Sequence, residues 1–361
     1  MARFTLEVGS TTDVGRQRQR NEDSLAVFVP EDAAANPSHL GGLLLVADGM
    51  GGERAGDRAS QMTAERLRAW LASGEYRGWP EFNGPRPLEG ALERGVRTVS
   101  AEIYQLGQDD AEVRGLGSTV VVLTLVADQA VLAHVGDSRA YLIRDGSLRQ
   151  LTVDHSWVQR QVDAGVLDPA AARRHPQRNI LTRSLGDSLP PEVDVGRLEV
   201  TSGDRFILCS DGLNGGVSDR EILDLSLEHT EPQALADALV ERANEQDGSD
   251  NITVVVGDCR PLDPDGELDA GSTHRIHFDD EPTAVLDELF DGDTRVDLQH
   301  PADDAETLER IRVPSVPRWR RWWVAAILAL ALGLLAGFLI QKTQGPTSST
   351  VETETSATAT R

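Results

Sequence analysis

Cysteine is almost missing from this 361-residue chain. Only Cys209 and Cys259 occur, with no CxxC pair, which excludes a disulfide framework and a zinc ribbon and fits a reducing compartment. Aromatic residues make up 4%, so any core is built mainly from aliphatic side chains. Basic residues are scarce as well, 35 Lys and Arg against 59 Asp and Glu, for a formal net charge of -24. Such a surface repels a phosphate backbone, so nucleic acid is excluded as the main partner. The N-terminus, MARFTLEVGSTTDVG, has no continuous apolar run of the kind a secretory signal carries. What is present is 39% hydrophobic residues, ample for one globular domain of roughly 250 residues plus extra segments.

The chain is organised around Val46 to Gly52, VADGMGG, which follows the apolar run Leu43-Leu44-Leu45. The run reads as a buried strand that the glycines end abruptly, leaving Asp48 at a strand end with little bulk beside it. The pattern recurs where Phe206 to Ser210 runs into Asp211-Gly212, and where Asp250-Asn251 precedes Ile252 to Val256. Three carboxylates at strand ends point to one shared site for a hard cation, because Mg²⁺ and Mn²⁺ prefer oxygen ligands.

Taken in order, Phe4 to Val8 alternates as a strand, and Thr11 to Asp23 reads as a polar loop containing Arg18, Glu22 and Asp23. Standing alone, that acidic pair is a solvated turn. Leu25 to Val29 is a strand, Glu53 to Leu71 and Leu88 to Leu106 are amphipathic helices, and Tyr76 to Pro87 is a loop. Short strands follow at Thr119 to Val126, Ala130 to Val135, Ala140 to Ile143 and Leu148 to Leu151, the last two joined by an Asp145-Gly146 hairpin turn. Asp137 lies in Gly136-Asp137-Ser138, where an acid is ordinarily a turn cap. Asp154 to Asp187 is polar and irregular, a surface flap; His155 within it reads as a hydrogen-bonded structural group. Strands at Glu192 to Val200 and Phe206 to Cys209, helices at Ser218 to Leu227 and Pro232 to Glu245, and a closing strand at Ile252 to Gly257 complete the domain.

Composition then changes. Pro261 to Val313 holds 16 acidic residues against four arginines, a self-repelling linker. Trp322 to Ile340, WWVAAILALALGLLAGFLI, is 19 residues without a charge, close to the ~20 that span a bilayer as a helix. Arg310, Arg312, Arg318, Arg320 and Arg321 precede it and only Lys342 closely follows, which by the positive-inside rule keeps the preceding domain in the cytosol. The expected organisation is therefore a domain at 1–260, an acidic linker with a basic juxtamembrane end at 261–321, a transmembrane helix at 322–340 and a Ser/Thr-rich extracytoplasmic tail at 341–361.

VGRQRQRNEDS, VADGMGG, GSTVV, HVGDSRAYL, LTVDHS, LTRSLG, CSDGL and SDNIT, in that order, closely resemble the bacterial PPM family, the type 2C metal-dependent Ser/Thr protein phosphatases. The resemblance covers about Phe4 to Asp258. It implies an α+β fold, an α-β-β-α sandwich of two antiparallel sheets flanked by helices, with two Mn²⁺ or Mg²⁺ ions between the sheets. Asp48 matches the bridging carboxylate and Gly49 the backbone-carbonyl ligand; Asp211 and Asp250 match the other carboxylates of the first ion. Glu22 and Asp23 match the pair at the second ion, and Asp137 the aspartate that shares a weaker third ion with Asp211. Arg18 matches the arginine that binds the substrate phosphate, where a planar fork suits two oxygens. The activity implied is hydrolysis of phosphoserine and phosphothreonine monoesters by a metal-bridging hydroxide. The implied partners are phosphoproteins, a Ser/Thr kinase and its targets, with the membrane as an anchor.

One residue departs from animal members, which carry a histidine two positions after the bridging aspartate, proposed as general acid. Met50 stands there and donates no proton, which leaves a metal-held water for that role. A phosphatase for an anti-sigma-antagonist regulator shares the fold, and a catalytically dead binding module would have lost a metal carboxylate or the arginine, none of which is lost here. Acidity alone suggests a calcium-binding domain, without EF-hand spacing to support it. The region Thr152 to Ile180 matches the flap. Thr283, in DDEPTA, is either a phosphorylation site or part of an ordinary acidic spacer.

Overall fold

A computed structural model describes residues 4–261 apart from 31–37, 39, 52–54, 81–85, 111–112 and 188–189. The expected linker, transmembrane helix, tail and Thr283 lie outside the described residues, and among the described residues no helix is long and apolar enough to cross a membrane.

Two antiparallel sheets form the centre. The first runs β1 (Phe4–Asp13), β11 (Ile252–Pro261), β10 (Arg205–Cys209), β7 (Arg139–Arg144), β8 (Ser147–Gln150). The second runs β2 (Asp23–Phe28), β3 (Gly42–Met50), β5 (Val120–Val126), β6 (Gln129–Val135), β9 (Asp194–Glu199), with the two-residue β4 (Gly117–Ser118) on β3. Helices α1 (Gly56–Ser73) and α2 (Pro87–Asp109) pack on the second sheet, and α5 (Asp211–Gly216), α6 (Asp219–Glu228) and α7 (Pro232–Gln246) on the first. The short α3 (Trp157–Asp163) and α4 (Pro169–Ala172) lie in the flap.

The continuous apolar runs have a direct cause, since each central strand is buried on both faces. In β3, Leu43, Leu45 and Ala47 join the helix-facing core, while Leu44 and Val46 face the other sheet. In β10, Ile207 and Cys209 face the helices, and Phe206 and Leu208 the opposite sheet. Strand alternation therefore carries Asp48 and Ser210, two residues beyond Val46 and Leu208, into the space between the sheets.

The structure corrects several boundaries. The first strand does not stop at Val8. It pairs with β11 over ten residues, Phe4 with Pro261 through Asp13 with Ile252, and its polar end is held by the Thr12 to Thr253 hydroxyl contact of 2.7 Å. Asp48 is not past the strand, because Gly49 and Met50 continue it by pairing with Ser118 and Gly117. Asp211 and Gly212, expected as a turn, open α5. Helix α1 starts at Gly56 rather than Glu53, and a single 3₁₀ turn, Glu75–Gly78, interrupts the loop before α2.

Candidate active site

At one end of the sandwich the register sets Asp23 of β2 directly across from Asp48 of β3. Cross-strand partners present their side chains on the same face, so both carboxylates enter the space between the sheets. From the opposite sheet Ser210 donates to Asp23 Oδ2 at 2.7 Å and accepts the Thr253 N–H at 3.0 Å, which brings the ends of β10 and β11 against β2. Asp211 follows Ser210 and Asp250 precedes β11, so both arrive at the same place. Asp137 enters from the β6–β7 turn. Around Asp48 the structure thus gathers Asp23, Asp211, Asp137 and Asp250.

The second acidic position is fixed by an asparagine clamp. Asn251 accepts the Glu22 N–H at 2.8 Å and donates from Nδ2 to Val14 O at 2.9 Å and Arg20 O at 2.8 Å. Sequence reasoning gave Asn251 no role, although it stands in the SDNIT motif. Glu22 in turn bonds Gly49 N–H through its carbonyl at 3.1 Å. A Cβ on Gly49 would lie 2.1 Å from Gly56 O and 2.6 Å from Glu22 O, so glycine is obligatory at that position. The Glu22 carboxylate rests where a Cβ on Gly56 would meet it at 2.8 Å. Asp48 is anchored by Thr119, whose Oγ1 accepts the Asp48 N–H at 2.9 Å, whose N–H donates to Asp48 O at 2.8 Å, and whose hydroxyl touches Ser138 Oγ at 2.6 Å. Thr119, Ser138 and Ser210 also escaped sequence reasoning. Each lies in a quoted motif, where a short hydroxyl carries no signal of the distant carboxylate it serves.

The electrostatics follow from this crowding. Burial first, and Asp211 and Asp250 beyond it, push the Asp23 carboxyl up to about 7 against the hydrogen bond from Ser210. Burial and Asp250 bring Asp211 to about 6. Asp48 and Asp137 rise well above the usual carboxylate range for the same reasons, and burial raises Glu22. Asp23 Oδ1 and Asp211 Oδ1 are buried without any hydrogen-bond partner. Buried oxygens left unpaired among like charges lose free energy unless a cation occupies the space between them. The donor set, all oxygen and mostly anionic, fits a hard divalent ion.

These groups open onto a cleft of about 1070 Å³, lined by Arg18, Glu22, Asp48, Gly49, Asp137, Asp211 and Asp250 among others. Arg18 donates Nη2 to Asp250 Oδ2 at 2.8 Å, with 48% of its side chain exposed. Partial burial opposes its charge, but Asp250, Glu22 and Asp48 hold its pKa raised. Its remaining guanidinium donors face the cleft anions. Met50 lines the same wall and offers no proton.

A second cluster differs in kind. His134, His155 and Asp194 place ligand atoms within 4.8 Å of one another. His155 Nδ1 accepts the Gly136 N–H at 3.1 Å, so its proton sits on Nε2, facing Asp194 Oδ2 at 3.1 Å and leaving no lone pair for a metal. Arg183 donates to Asp194 Oδ1 at 2.7 Å and pairs with Glu192 at 2.8 Å. Burial at Asp194 is outweighed by His155 and Arg183, which hold its carboxyl at about 2. Backbone bonds from His155 N to Gly136 O and from Thr182 N to His155 O, both 2.7 Å, tie both ends of the flap to the turn that carries Asp137. His155 is a structural strut.

Comparison with known proteins agrees with this geometry. Residues 15–252 match the family model described as Protein phosphatase 2C. The chain is 37% identical over 257 residues to protein phosphatase PhpP of Streptococcus pneumoniae, covering 70% of this chain and 96% of that protein. The structure of the Streptococcus agalactiae serine/threonine phosphatase aligns with TM-score 0.63 and 34% identity, over 71% of this chain and all of that one. The catalytic domain of the serine/threonine protein phosphatase PstP, solved in complex with two manganese ions, aligns with TM-score 0.56 and 34% identity over 71% of this chain and 99% of its own. With eight ordered motifs, a two-sheet sandwich and a carboxylate-lined cleft at its edge, the chain belongs to the protein phosphatase 2C family.

Proposed function

We propose that this chain is a serine/threonine protein phosphatase that hydrolyses phosphoserine and phosphothreonine monoesters in the cleft bounded by Arg18, with two Mn²⁺ or Mg²⁺ ions. The observation that carries this reading is the pair of buried, unpartnered oxygens of Asp23 and Asp211 within a set of carboxylates of raised pKa. In this reading Asp48, the Gly49 carbonyl, Asp211 and Asp250 hold one ion, Glu22 and Asp23 the other, and Asp137 with Asp211 a weaker third. Bound there, the ions supply activated water and neutralise charge on the phosphoryl oxygens.

The chain's own groups do the rest. Arg18 clamps the phosphate: its guanidinium is half-exposed and already oriented by Asp250, so it turns its free donors to two phosphoryl oxygens with little loss of entropy. Thr119 and Asn251 hold Asp48 and Glu22 in place through their backbones, so the carboxylates are in position before substrate binds. Release of phosphate from a phosphothreonine peptide should require Mn²⁺ and stop with a chelator. Arg18→Ala should weaken substrate use while Mn²⁺ affinity stays near wild type, since arginine ligates no cation. Equal loss of metal affinity would overturn the clamp role.

The same reading extends to the whole chain: a phosphatase domain at 1–260 carried on the acidic linker 261–321, a single membrane-spanning helix at 322–340 and an outer tail at 341–361, acting in the cytoplasm on phosphoproteins and opposing a Ser/Thr kinase. Its support is the uncharged 19-residue run with five arginines before it. A reporter fused after Arg361 should behave as exported and one fused before Met1 as cytosolic; the reverse would overturn the orientation.

A further inference from the structure

We propose that Arg114 makes this phosphatase select substrates with a second anion, a phosphate or a carboxylate, on a residue flanking the phosphorylated serine or threonine. The proposal rests on the phosphatase reading and names a substrate class for the same cleft.

Three cations line that cleft: Arg18, Arg20 and Arg114. Arg18 is engaged by Asp250. Arg114 is exposed and, among the described residues, has no hydrogen-bond, ion-pair or ring partner. That is unusual on this surface. Elsewhere exposed arginines find carboxylates, Arg58 with Asp110, Arg97 with Glu93 and Arg220 with Asp224, as expected where acids outnumber bases by 59 to 35. An arginine left open at the rim of a phosphate-processing cleft keeps its planar fork available for an incoming anion.

Its backbone is firmly held. Val113 and Leu116 on either side are buried, the Leu116 N–H closes the turn on Val113 O at 3.1 Å, and Gly115 adopts φ 81°, which favours glycine. The turn packs on Gly51, where a Cβ would meet Leu116 Cα at 2.8 Å. Directly after it, Gly117–Ser118 pairs with Gly49–Met50, the residues that follow Asp48. Arg114 therefore stands three residues before the strand pairing beside the catalytic carboxylates, a span of about 10 Å along the chain. Side chains two to three residues apart on an extended peptide are separated by about 7 to 10 Å, so a flanking anion reaches Arg114 while the scissile phosphate sits at Arg18.

Asp187 is the opposing group. It is exposed, lines the cleft, and follows Gly186, where a Cβ would lie 2.9 Å from Leu116 O. It forms no ion pair with Arg114, and its charge tempers the selection. The other acids of the cleft, Glu22, Asp48, Asp137, Asp211 and Asp250, belong to the cation site.

The test uses the full chain with saturating Mn²⁺ and phosphothreonine peptides that differ only in one flanking position, scanned over three residues on each side: glutamine, glutamate, or a non-hydrolysable phosphonate. In the favoured register kcat/KM should exceed the glutamine peptide by about threefold for glutamate and about tenfold for phosphonate at low ionic strength, and the ratios should shrink toward one in high salt. Arg114→Ala should bring both ratios to one, Arg114→Lys should keep the glutamate ratio but lose most of the phosphonate ratio, and Asp187→Asn should raise both. A gain for phosphonate alone identifies a second phosphate as the source of the anion; a gain for both admits acidic peptides. Equal use of the three peptides by the wild type, or ratios that survive Arg114→Ala, would overturn the proposal. Wild-type failure to release phosphate from the glutamine peptide would instead overturn the phosphatase reading beneath it.

Discussion

Strands β10 and β11 carry buried charge at both ends, and the two ends handle it in opposite ways. At one end Arg205 sits against Asp258 with bonds of 2.6 and 2.7 Å, and its other donors reach Ser226 O and His229 O at 2.8 Å and Thr230 O at 2.7 Å. All five guanidinium donors are used. At the other end Asp211 and Asp250 join Asp23, Asp48 and Asp137, and two oxygens have no partner at all. A structural charge is one whose every hydrogen bond is closed by the fold; a functional one is left for something that arrives later. The difference is visible in the folded chain without reference to any relative.

Substitution should separate the two ends most strongly. Asp211→Asn or Asp48→Asn removes an anionic ligand, and since loss of a group that merely supports a ligand costs about 10–100-fold in activity, loss of the ligand should exceed that. Melting of the metal-free protein should stay unchanged or rise, because a source of repulsion has gone. Residual activity above about a tenth of wild type in both variants would refute the assignment. Asp258→Ala should behave in the reverse way. It strands the Arg205 guanidinium in a buried position, a loss of about 3–5 kcal/mol and on the order of 10 °C in Tm, with turnover near normal at temperatures where the variant is folded. Calorimetry beside a phosphate-release assay reads both ends at once.

Much of this contrast was legible in the chain. Asp48, Asp211 and Asp250 announce themselves because each interrupts or abuts an apolar run, and an acid there has few bland explanations. Arg18, Glu22, Asp23 and Asp137 carry no such mark and emerged only through the resemblance of whole motifs. The supporting groups stayed hidden because their partners are remote in sequence: Ser210 serves Asp23 across 187 residues and Thr119 serves Asp48 across 71. The length of β1 was misjudged for a similar reason. Ser10, Thr11 and Thr12 look like a loop until β11 supplies the ladder opposite them, since strand formation depends on the pairing partner more than on local preference. The transmembrane run and the linker lie outside the described residues, so they remain readings of composition.

The pH dependence of stability should sharpen the comparison next. Folded Asp23 and Asp211 titrate at about 7 and about 6, both above the ~4 of an unfolded carboxylate. Between those values the folded, metal-free protein holds more protons than the unfolded chain, so its stability is complete below about pH 4 and declines as pH rises through 6 to 7. The decline amounts to about 3 kcal/mol at one to two pKa units of effective shift. A divalent cation replaces those protons. Added Mn²⁺ should therefore raise Tm little at pH 5 and by several degrees at pH 8, measured by scanning fluorimetry. The same titration in Asp211→Asn should be flatter. A gain from Mn²⁺ that is equal at both pH values would show that these carboxylates do not hold the ion.

The smallest effect belongs to the residue that joins the two regimes. Ser210 lies on β10 just before Asp211; its hydroxyl accepts the Thr253 N–H at 3.0 Å, a bond of the structural kind, and donates to Asp23 Oδ2 at 2.7 Å, a bond into the site. Ser210→Ala removes both without opening a large void. The lost acceptor leaves a buried N–H unpaired, about 1–2 kcal/mol, or roughly 2–6 °C in Tm. The lost donor does something different: Asp23 keeps its carboxylate but not the group that orients it, so Mn²⁺ affinity should fall about tenfold, while kcat at saturating Mn²⁺ stays close to wild type because every proposed ligand and Arg18 remain. Ser210→Thr, which keeps the hydroxyl, should restore most of the affinity. Loss of stability with unchanged metal affinity would make Ser210 purely structural, and the boundary between the two ends of these strands would then fall between Ser210 and Asp211 rather than within Ser210 itself.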